Sequence, residues 1–418
     1  MKIEQLYNLY KKHYQVDTDT RKIRPNSIYF ALKGKNFNGN AFAKEAIKKG
    51  ASYCIVDEQE YANDENIILV EDVLTTLQEL AKYHRNQFTF PVLALTGSNG
   101  KTTSKELINC VLSKKFKTGA TFGNLNNHIG VPLTLLSFDA STEFGIVEMG
   151  ANHLNEIAFL SNIAKPDFGY ITNFGKAHLE GFGSVEGVIK GKSELYQFIG
   201  NNKKKVFVNP NDKKQLNLTK YLDTIFFDKT IVLKSATPFL TIAFENIEIQ
   251  SNLIGDYNFD NIACAITIGN YFGVKTLDIK EAIASYVPTN NRSQIIETTQ
   301  NKIILDAYNA NPTSVEAALK SFSNLEDTHK VVVLGDMFEL GQEAATEHQK
   351  IADMASSLDL DLLFFVGENF EKIKGNYVTF NTIEDLKDYL AALEISGAII
   401  LIKGSRGMAL ERLLTIIN

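Results

Sequence analysis

Short apolar runs alternate along this chain with segments whose apolar residues recur every three to four positions. After Pro91 the runs are "VLALTG", "FGIVEMG", "FGYITN" and "KVFVN", each closed by glycine or asparagine. Runs this short predict buried strands, and the segments between them carry helical spacing. Strands alternating with helices predict a mostly parallel sheet with helices packed on it. Before Pro91 the pattern is smaller: strand candidates "SIYFAL" and "SYCIV" flank a helix-like "AFAKEAIKKG" that Gly50 ends. An amphipathic helix, "EDVLTTLQELAKYHRNQ", closes that region. From about 223 to 254 the rhythm becomes period two ("IFFD", "TIVLK", "FLTIAF", "IEIQ"), which predicts an antiparallel edge, and a helix follows from Asn258 to about Tyr271.

Beyond residue 297 strands "IILDAY", "KVVVLGD", "DLLFFVG" and "GAIILIKGS" alternate with helices "SVEAALKSF", one ending at Ser357, "IEDLKDYLAAL" and "ALERLLTII". This is the signature of a doubly wound α/β unit, in which ligands sit beyond the carboxyl ends of the strands. Asp306, Asn309, Asp336, Gly367, Lys403, Ser405 and Arg406 fall there. The expected domains are residues 1–86, 87–296 and 297–418.

Composition narrows the function. A chain of 418 residues is too long for one core. A net charge of -6 argues against nucleic acid or an anionic membrane as the main partner, and Lys203, Lys204 and Lys205 read as solvated surface. Cys54, Cys110 and Cys264 are odd in number and set in apolar contexts, as expected of reduced core residues in a reducing compartment. No early apolar run reads as a signal peptide and no stretch reaches 18 apolar residues, so the expected location is cytoplasmic.

The segment "FPVLALTGSNGKTTSKEL" carries the first chemistry. A buried strand ending at Thr96 leads through Gly97, Ser98, Asn99 and Gly100 to a helix beginning at Lys101. Such a turn aims backbone N–H groups at an anion, and the helix N-terminus adds partial positive charge. Lys101 can reach β- and γ-phosphates, and Thr102 or Thr103 can give a hydroxyl to magnesium. Leu95 stands where the strict nucleotide-loop pattern has its first glycine, and the bland alternative is a βα turn with a solvated lysine. Glu148, ending the strand "FGIVE", can hold a hard cation beside that loop. His178 alone reads as a hydrogen-bonded structural histidine, and Lys190 and Lys192 alone as solvated lysines.

Eight segments change those readings. "TGSNGKTT", "NLNNHIGVPLTLL", "VEMGANHLNEIA", "NFGKAHLEGFGS", "GDYNFDNIACA", "DAYNANPTSVEAAL", "VVLGDMFELG" and "IKGSRGMALERLL" occur in the order found in the Mur ligases of peptidoglycan synthesis. The chain resembles that family over nearly its whole length, most closely the branch that adds D-alanyl-D-alanine to a UDP-N-acetylmuramoyl-tripeptide. The resemblance implies an α/β protein of three domains: a small UDP-binding N-terminal domain, a P-loop central domain and a Rossmann-like C-terminal domain that closes over the site. It implies a monomer, ATP and Mg2+ as cofactors, and a carbamylated lysine at Lys192, with Lys190 the competing position.

Residue by residue, the likeness puts Asn258 and Asn261 near adenine, Arg292 on phosphate, Asp306 on the ATP ribose and Asn309 in the same loop. It offers Thr20, Arg21 and Ser27 to the UDP group, and Asn126, Asn127, Asp336, Lys403, Ser405 and Arg406 to the substrates. Asn38 and Asn40 depart from the usual Asp-Gly-His, and Tyr257 stands where many relatives have histidine. The implied catalytic set is Lys101, His178, Lys192 and Arg292. One magnesium is expected on Thr102 and Glu148, a second on Glu148, His178 and the Lys192 carbamate. No "DNPR" occurs, which sets aside the diaminopimelate-adding branch. Other Mur-type ligases, folylpolyglutamate synthetase, and a P-loop switch that hydrolyses nucleotide only to change shape remain the rival readings.

Overall fold

The computed structural model describes residues 1–327 and 329–417. Its centre is a six-stranded, all-parallel sheet in the order Asp223–Phe226, Lys205–Val208, Phe168–Ile171, Val92–Thr96, Phe144–Glu148, Thr118–Ala120. Val92–Thr96 thus lies between strands that follow it in the chain on both sides. Chain order reverses there, and a crevice opens beyond the strand ends. Register pairs Leu95 with Glu148 and Thr96 with Ile171, so the carboxylate of Glu148 emerges beside the turn that follows Thr96.

The "IFFD" strand differs from expectation. It extends the central parallel sheet at its edge, and only Val232–Ser235, Thr241–Phe244 and Ile247–Gln250 form a separate antiparallel sheet. Strand direction follows from the helix Lys213–Leu218 that returns the chain, a connection that apolar alternation does not encode.

The C-terminal sheet runs Gln294–Glu297, Lys302–Asp306, Ile399–Lys403, Lys330–Gly335, Leu362–Val366, Val378–Phe380. All neighbours are parallel except the first pair, so the expected division at 296 runs through an edge strand of this sheet. The expected last helix is a pair of 3-10 turns, Arg406–Met408 and Leu410–Thr415, separated by Ala409 at φ +51°. The N-terminal unit carries a four-stranded parallel sheet ordered Val16–Asp17, Ile28–Phe30, Tyr53–Val56, Ile67–Leu69. Cys54 and Cys264 are buried and all three cysteines are free thiols. No helix among the described residues is long and apolar enough to cross a membrane.

Helix Val73–Arg85 fastens the N-terminal unit to the central one. Asp72 caps its start through the Thr75 N–H, and its buried face carries Val73, Leu77, Leu80 and Ala81. At its far end Arg85 donates to the carbonyls of Ala164 and Lys165 and pairs with Asp167 at 2.8 Å. His84, 2% exposed, meets the Phe138 carbonyl at 2.9 Å through Nε2. Burial pushes its imidazole down to about 4, only partly opposed by that carbonyl.

A histidine held neutral in the folded chain but titrating near 6.5 when unfolded favours folding fully above pH 6.5. That contribution is lost as pH falls through 4, because the unfolded chain then binds the extra proton. A shift of this size corresponds to about 3 kcal/mol. Chemical denaturation between pH 7 and pH 4 is therefore expected to show a steep loss of stability that His84→Gln flattens. Parallel slopes for the two proteins would count against the assignment.

Candidate active site

A cleft of about 1070 Å³ opens at the reversal point of the central sheet and is roofed by the C-terminal unit. It is lined by Ser98 to Thr103 from the turn, by Asn126, Asn127, Glu148 and His178, and by Asn258, Asn261, Arg292, Asp306, Asn309 and Lys403. Residues expected from eight separate sequence segments therefore share one cavity.

The turn is shaped by two glycines that tolerate no side chain. Gly97 has φ +144° and a Cβ there would lie 1.9 Å from Thr172 Oγ1; Gly100 has φ +77° and a Cβ would lie 2.5 Å from Asn261 Oδ1. The following helix, Lys101–Leu112, begins with no side-chain cap, so its first N–H groups face the cleft free for a ligand. The segment after strand Phe168–Ile171 braces the turn: Ser98 donates to the Gly175 carbonyl at 2.9 Å, and Thr172 Oγ1 donates to the Asn99 carbonyl at 2.6 Å. Gly97→Ala is expected to lower stability by about 1–3 kcal/mol through overpacking and to weaken ATP binding about tenfold or more, about 1.4 kcal/mol. Calorimetric titration with ATP analogues checks this, and unchanged affinity would exclude the turn as the phosphate seat.

Lys101 Nζ folds back over the turn and donates to the carbonyls of Gly97 and Ser98 at 2.7 and 3.2 Å. Its ammonium is pushed down to about 8, by burial first; Glu148 pulls the other way and Arg292 adds to the depression. Glu148, 1% exposed, accepts from Thr102 Oγ1 at 3.1 Å and from Asn126 Nδ2 at 2.8 Å. A buried carboxylate held by neutral donors, one of them a threonine hydroxyl, is a donor set that suits a magnesium ion. The residues present therefore fit that metal.

Lys192 is fully buried on helix Val185–Asn201, whereas Lys190 on the same helix is exposed. Its Nζ donates to the Ala151 carbonyl at 3.1 Å and stands 5.2 Å from the Phe182 ring centre. Burial, then the charge of Lys101, hold the amine well below the usual lysine range against the pull of Glu156 and Glu194. Lys192 therefore sits where a neutral amine is favoured.

On the roof, Arg292 lies 3.7 Å from the ring centre of Tyr308, and Arg406 stacks near the same ring at 5.1 Å. The buried Nε of Arg292 has no hydrogen-bond partner. Asp306 accepts from Lys403 at 2.5 Å across neighbouring strands that pair these two residues in register. Asn258 and Asn261 are joined at 2.9 Å, and Ser104 donates to Asn261 Oδ1 at 2.8 Å. Tyr308, which lies in "DAYNANP" without an expected role, is brought between two arginines by the folding of the C-terminal unit itself. Tyr257, left without a role from sequence, lines the cleft with its hydroxyl 3.0 Å from Ser293 Oγ.

Other expected residues are engaged by neighbouring groups of the protein. Asp336 is buried; its oxygens accept from the N–H groups of Asn369 and Phe370, and it holds the turn after Val366 instead of reaching the cleft. Ser405 accepts from the Phe338 N–H at 2.9 Å. Thr20 is buried in the N-terminal unit, Arg21 pairs with Asp19, and the buried Ser27 hydroxyl has no partner; none of the three borders the cleft. His178, with φ +54°, directs Nδ1 at the carboxylate of Glu339 from the C-terminal unit. Thr96 is buried at the strand end with its hydroxyl unpartnered.

Three family models match the chain in succession: Mur ligase family, catalytic domain, over residues 12–85; Mur ligase middle domain over 95–269; and Mur ligase, glutamate ligase domain over 291–406. The UDP-N-acetylmuramoyl-tripeptide–D-alanyl-D-alanine ligase of Bacillus subtilis is 34% identical, with 95% of this chain and 92% of that protein aligned. The MurF ligase of Thermotoga maritima, solved in complex with ADP, superposes with a TM-score of 0.85 at 28% identity, covering 100% of this chain and 98% of that one. MurF from Acinetobacter baumannii superposes with a TM-score of 0.84 at 29% identity, covering 96% and 93%. The alignment of the three models in order, and relatives matched over nearly their full length, place the chain in the Mur ligase family, among its MurF members.

Proposed function

We propose that this protein is an ATP-dependent ligase that joins D-alanyl-D-alanine to a UDP-N-acetylmuramoyl-tripeptide in the cytoplasm, acting as a monomer. The observation that carries the reading is the convergence, in one cleft, of the uncapped helix start after Gly100, Lys101, and the buried Thr102–Glu148 pair. The three units divide the work: the N-terminal unit holds the UDP-sugar, the central unit the nucleotide, and the C-terminal unit closes over both.

A carboxylate is a poor acylating agent. In this reading the tripeptide carboxylate attacks the γ-phosphorus of ATP, ADP leaves, and an acyl phosphate forms. The dipeptide amine then adds to the acyl carbon, loses its proton, and the tetrahedral adduct expels phosphate to leave the amide. Bringing carboxylate and triphosphate together is the difficulty, since two unit charges 4 Å apart repel by about 4 kcal/mol at an effective dielectric near 20. Lys101 and the guanidinium of Arg292, whose buried Nε has no hydrogen-bond partner, supply fixed positive charge for that encounter. Thr102 and Glu148 would hold magnesium, with His178 and a carbamate on Lys192 as further ligands; when bound it supplies Lewis-acid stabilisation of phosphate charge. The C-terminal unit excludes water from the acyl phosphate by covering the cleft.

Phosphate release from ATP, measured with UDP-muramoyl-tripeptide and with or without D-alanyl-D-alanine, tests the function. Release that depends on both substrates is the expected result. Turnover indifferent to the dipeptide would favour a nucleotide switch.

A further inference from the structure

The helix Pro312–Ser323 of the C-terminal unit enters the cleft by its N-terminus, where Asn311 serves two elements at once. Its Oδ1 accepts from the Ser314 N–H at 3.0 Å and caps the helix. Its Nδ2 donates to Asn99 Oδ1 at 2.7 Å, reaching into the phosphate turn of the central unit. The backbone of Asn99 is already fixed by its own unit, with its N–H on Asn173 Oδ1 at 3.1 Å and its carbonyl taking Thr172 Oγ1 at 2.6 Å. Only its side chain is shared with the C-terminal unit. A second contact runs alongside: the Lys176 N–H donates to Thr313 Oγ1 at 3.1 Å. Gly175 makes room for both, since a Cβ there would lie 2.9 Å from Asn99 Nδ2 and 3.2 Å from Thr313 Oγ1.

We propose that Asn311 is a positioning residue that couples the seating of the C-terminal unit to the phosphate turn, through its hydrogen bond to Asn99. This rests on the ATP-ligase reading above. Asn311 touches no reacting atom in this role. When the C-terminal unit seats, Asn311 orients the Asn99 amide and holds the middle of the turn on its second side. When it lifts away, the buried Asn311 amide and the half-buried Asn99 amide lose each other as partners, which makes the seated arrangement cooperative with an ordered turn.

The two functions of the side chain are separable. Serine is a good N-cap, but its hydroxyl is too short to reach Asn99; alanine loses cap and reach together. Asn311→Ser is expected to melt within about 1 °C of wild type, and Asn311→Ala about 2–4 °C lower. Both variants are expected to lose about fivefold in kcat/KM for ATP in the ligation assay, the size of one neutral hydrogen bond. Asn99→Ala combined with Asn311→Ser is expected to be no worse than Asn99→Ala alone, because one bond is being removed twice.

A purely structural role would make the kinetic loss follow the melting temperature, with Asn311→Ser near wild type. That result, or losses that multiply in the double variant, overturns the coupling. A wild-type protein that takes up no ATP refutes the ligase reading and the coupling with it. A wild-type ligase with an unaffected Asn311→Ser variant refutes the coupling alone.

Discussion

Lys101→Ala is expected to lose ligation by about 10³-fold or more while keeping its fold. Loss of a single preorganised donor to developing negative charge costs about 10²–10³ in turnover, and this donor carries a full charge. Stability should barely move for a reason visible in the structure. The lysine ammonium bonds only to the carbonyls of Gly97 and Ser98, four and three residues away on the same turn. It therefore ties no distant elements together. Each such bond is worth about 1 kcal/mol net, and removing a half-buried cation relieves a desolvation cost of opposite sign. The measurement is phosphate release together with a thermal melt. A Lys101→Ala protein that melts as wild type yet ligates at the wild-type rate would remove the phosphate turn from the mechanism. Lys101→Arg is the informative companion, since it keeps the charge while its larger fork meets the same tight turn.

How much of this was legible in the sequence depends on how local each feature is. The turn from Thr96 to Lys101 could be read directly, because strand, glycines and helix start lie within a dozen residues and each has its own pattern. The long buried strands were equally legible. The edges were not: Thr118–Ala120 and Val378–Phe380 are three residues each, Gln294–Glu297 is half-buried to exposed, and such strands carry no run of apolar residues. Asp223–Phe226 was recognised as a strand but given the wrong partner direction, since direction resides in the connection.

Pairings across domains had no sequence signal at all. His178 against Glu339 and Asn99 against Asn311 join residues set by how two units seat on each other. Conversely, Asp336 looked like a ligand residue because it follows a strand end. There it meets the N–H groups of the turn at Asn369 and Phe370, and its charge is spent inside its own unit.

Lys192→Ala is expected to lower turnover about 10²-fold or more, and short carboxylates such as acetate are expected to restore part of it. The expectation follows from where the amine sits. A lysine reacts with carbon dioxide only as the neutral amine, forming a carbamate and releasing a proton. Lys192 is fully buried, hydrogen-bonded to one carbonyl, and close enough to Lys101 for that charge to disfavour its ammonium. The same neighbouring cation favours an anionic carbamate at this position. Truncation to alanine leaves a space behind Ala151 into which a small carboxylate can bring back the lost negative oxygens. Lys192→Arg separates charge from chemistry, because a guanidinium stays cationic and cannot be carbamylated; it should be inactive and insensitive to acetate. Incubating the wild type with carbon-13 bicarbonate should yield a carbamate signal by NMR that both variants lack. Wild-type turnover in Lys192→Ala would leave the buried amine a structural group. A dead variant without rescue and a wild type without the signal would confine it to positioning the Ala151 backbone beside Glu148.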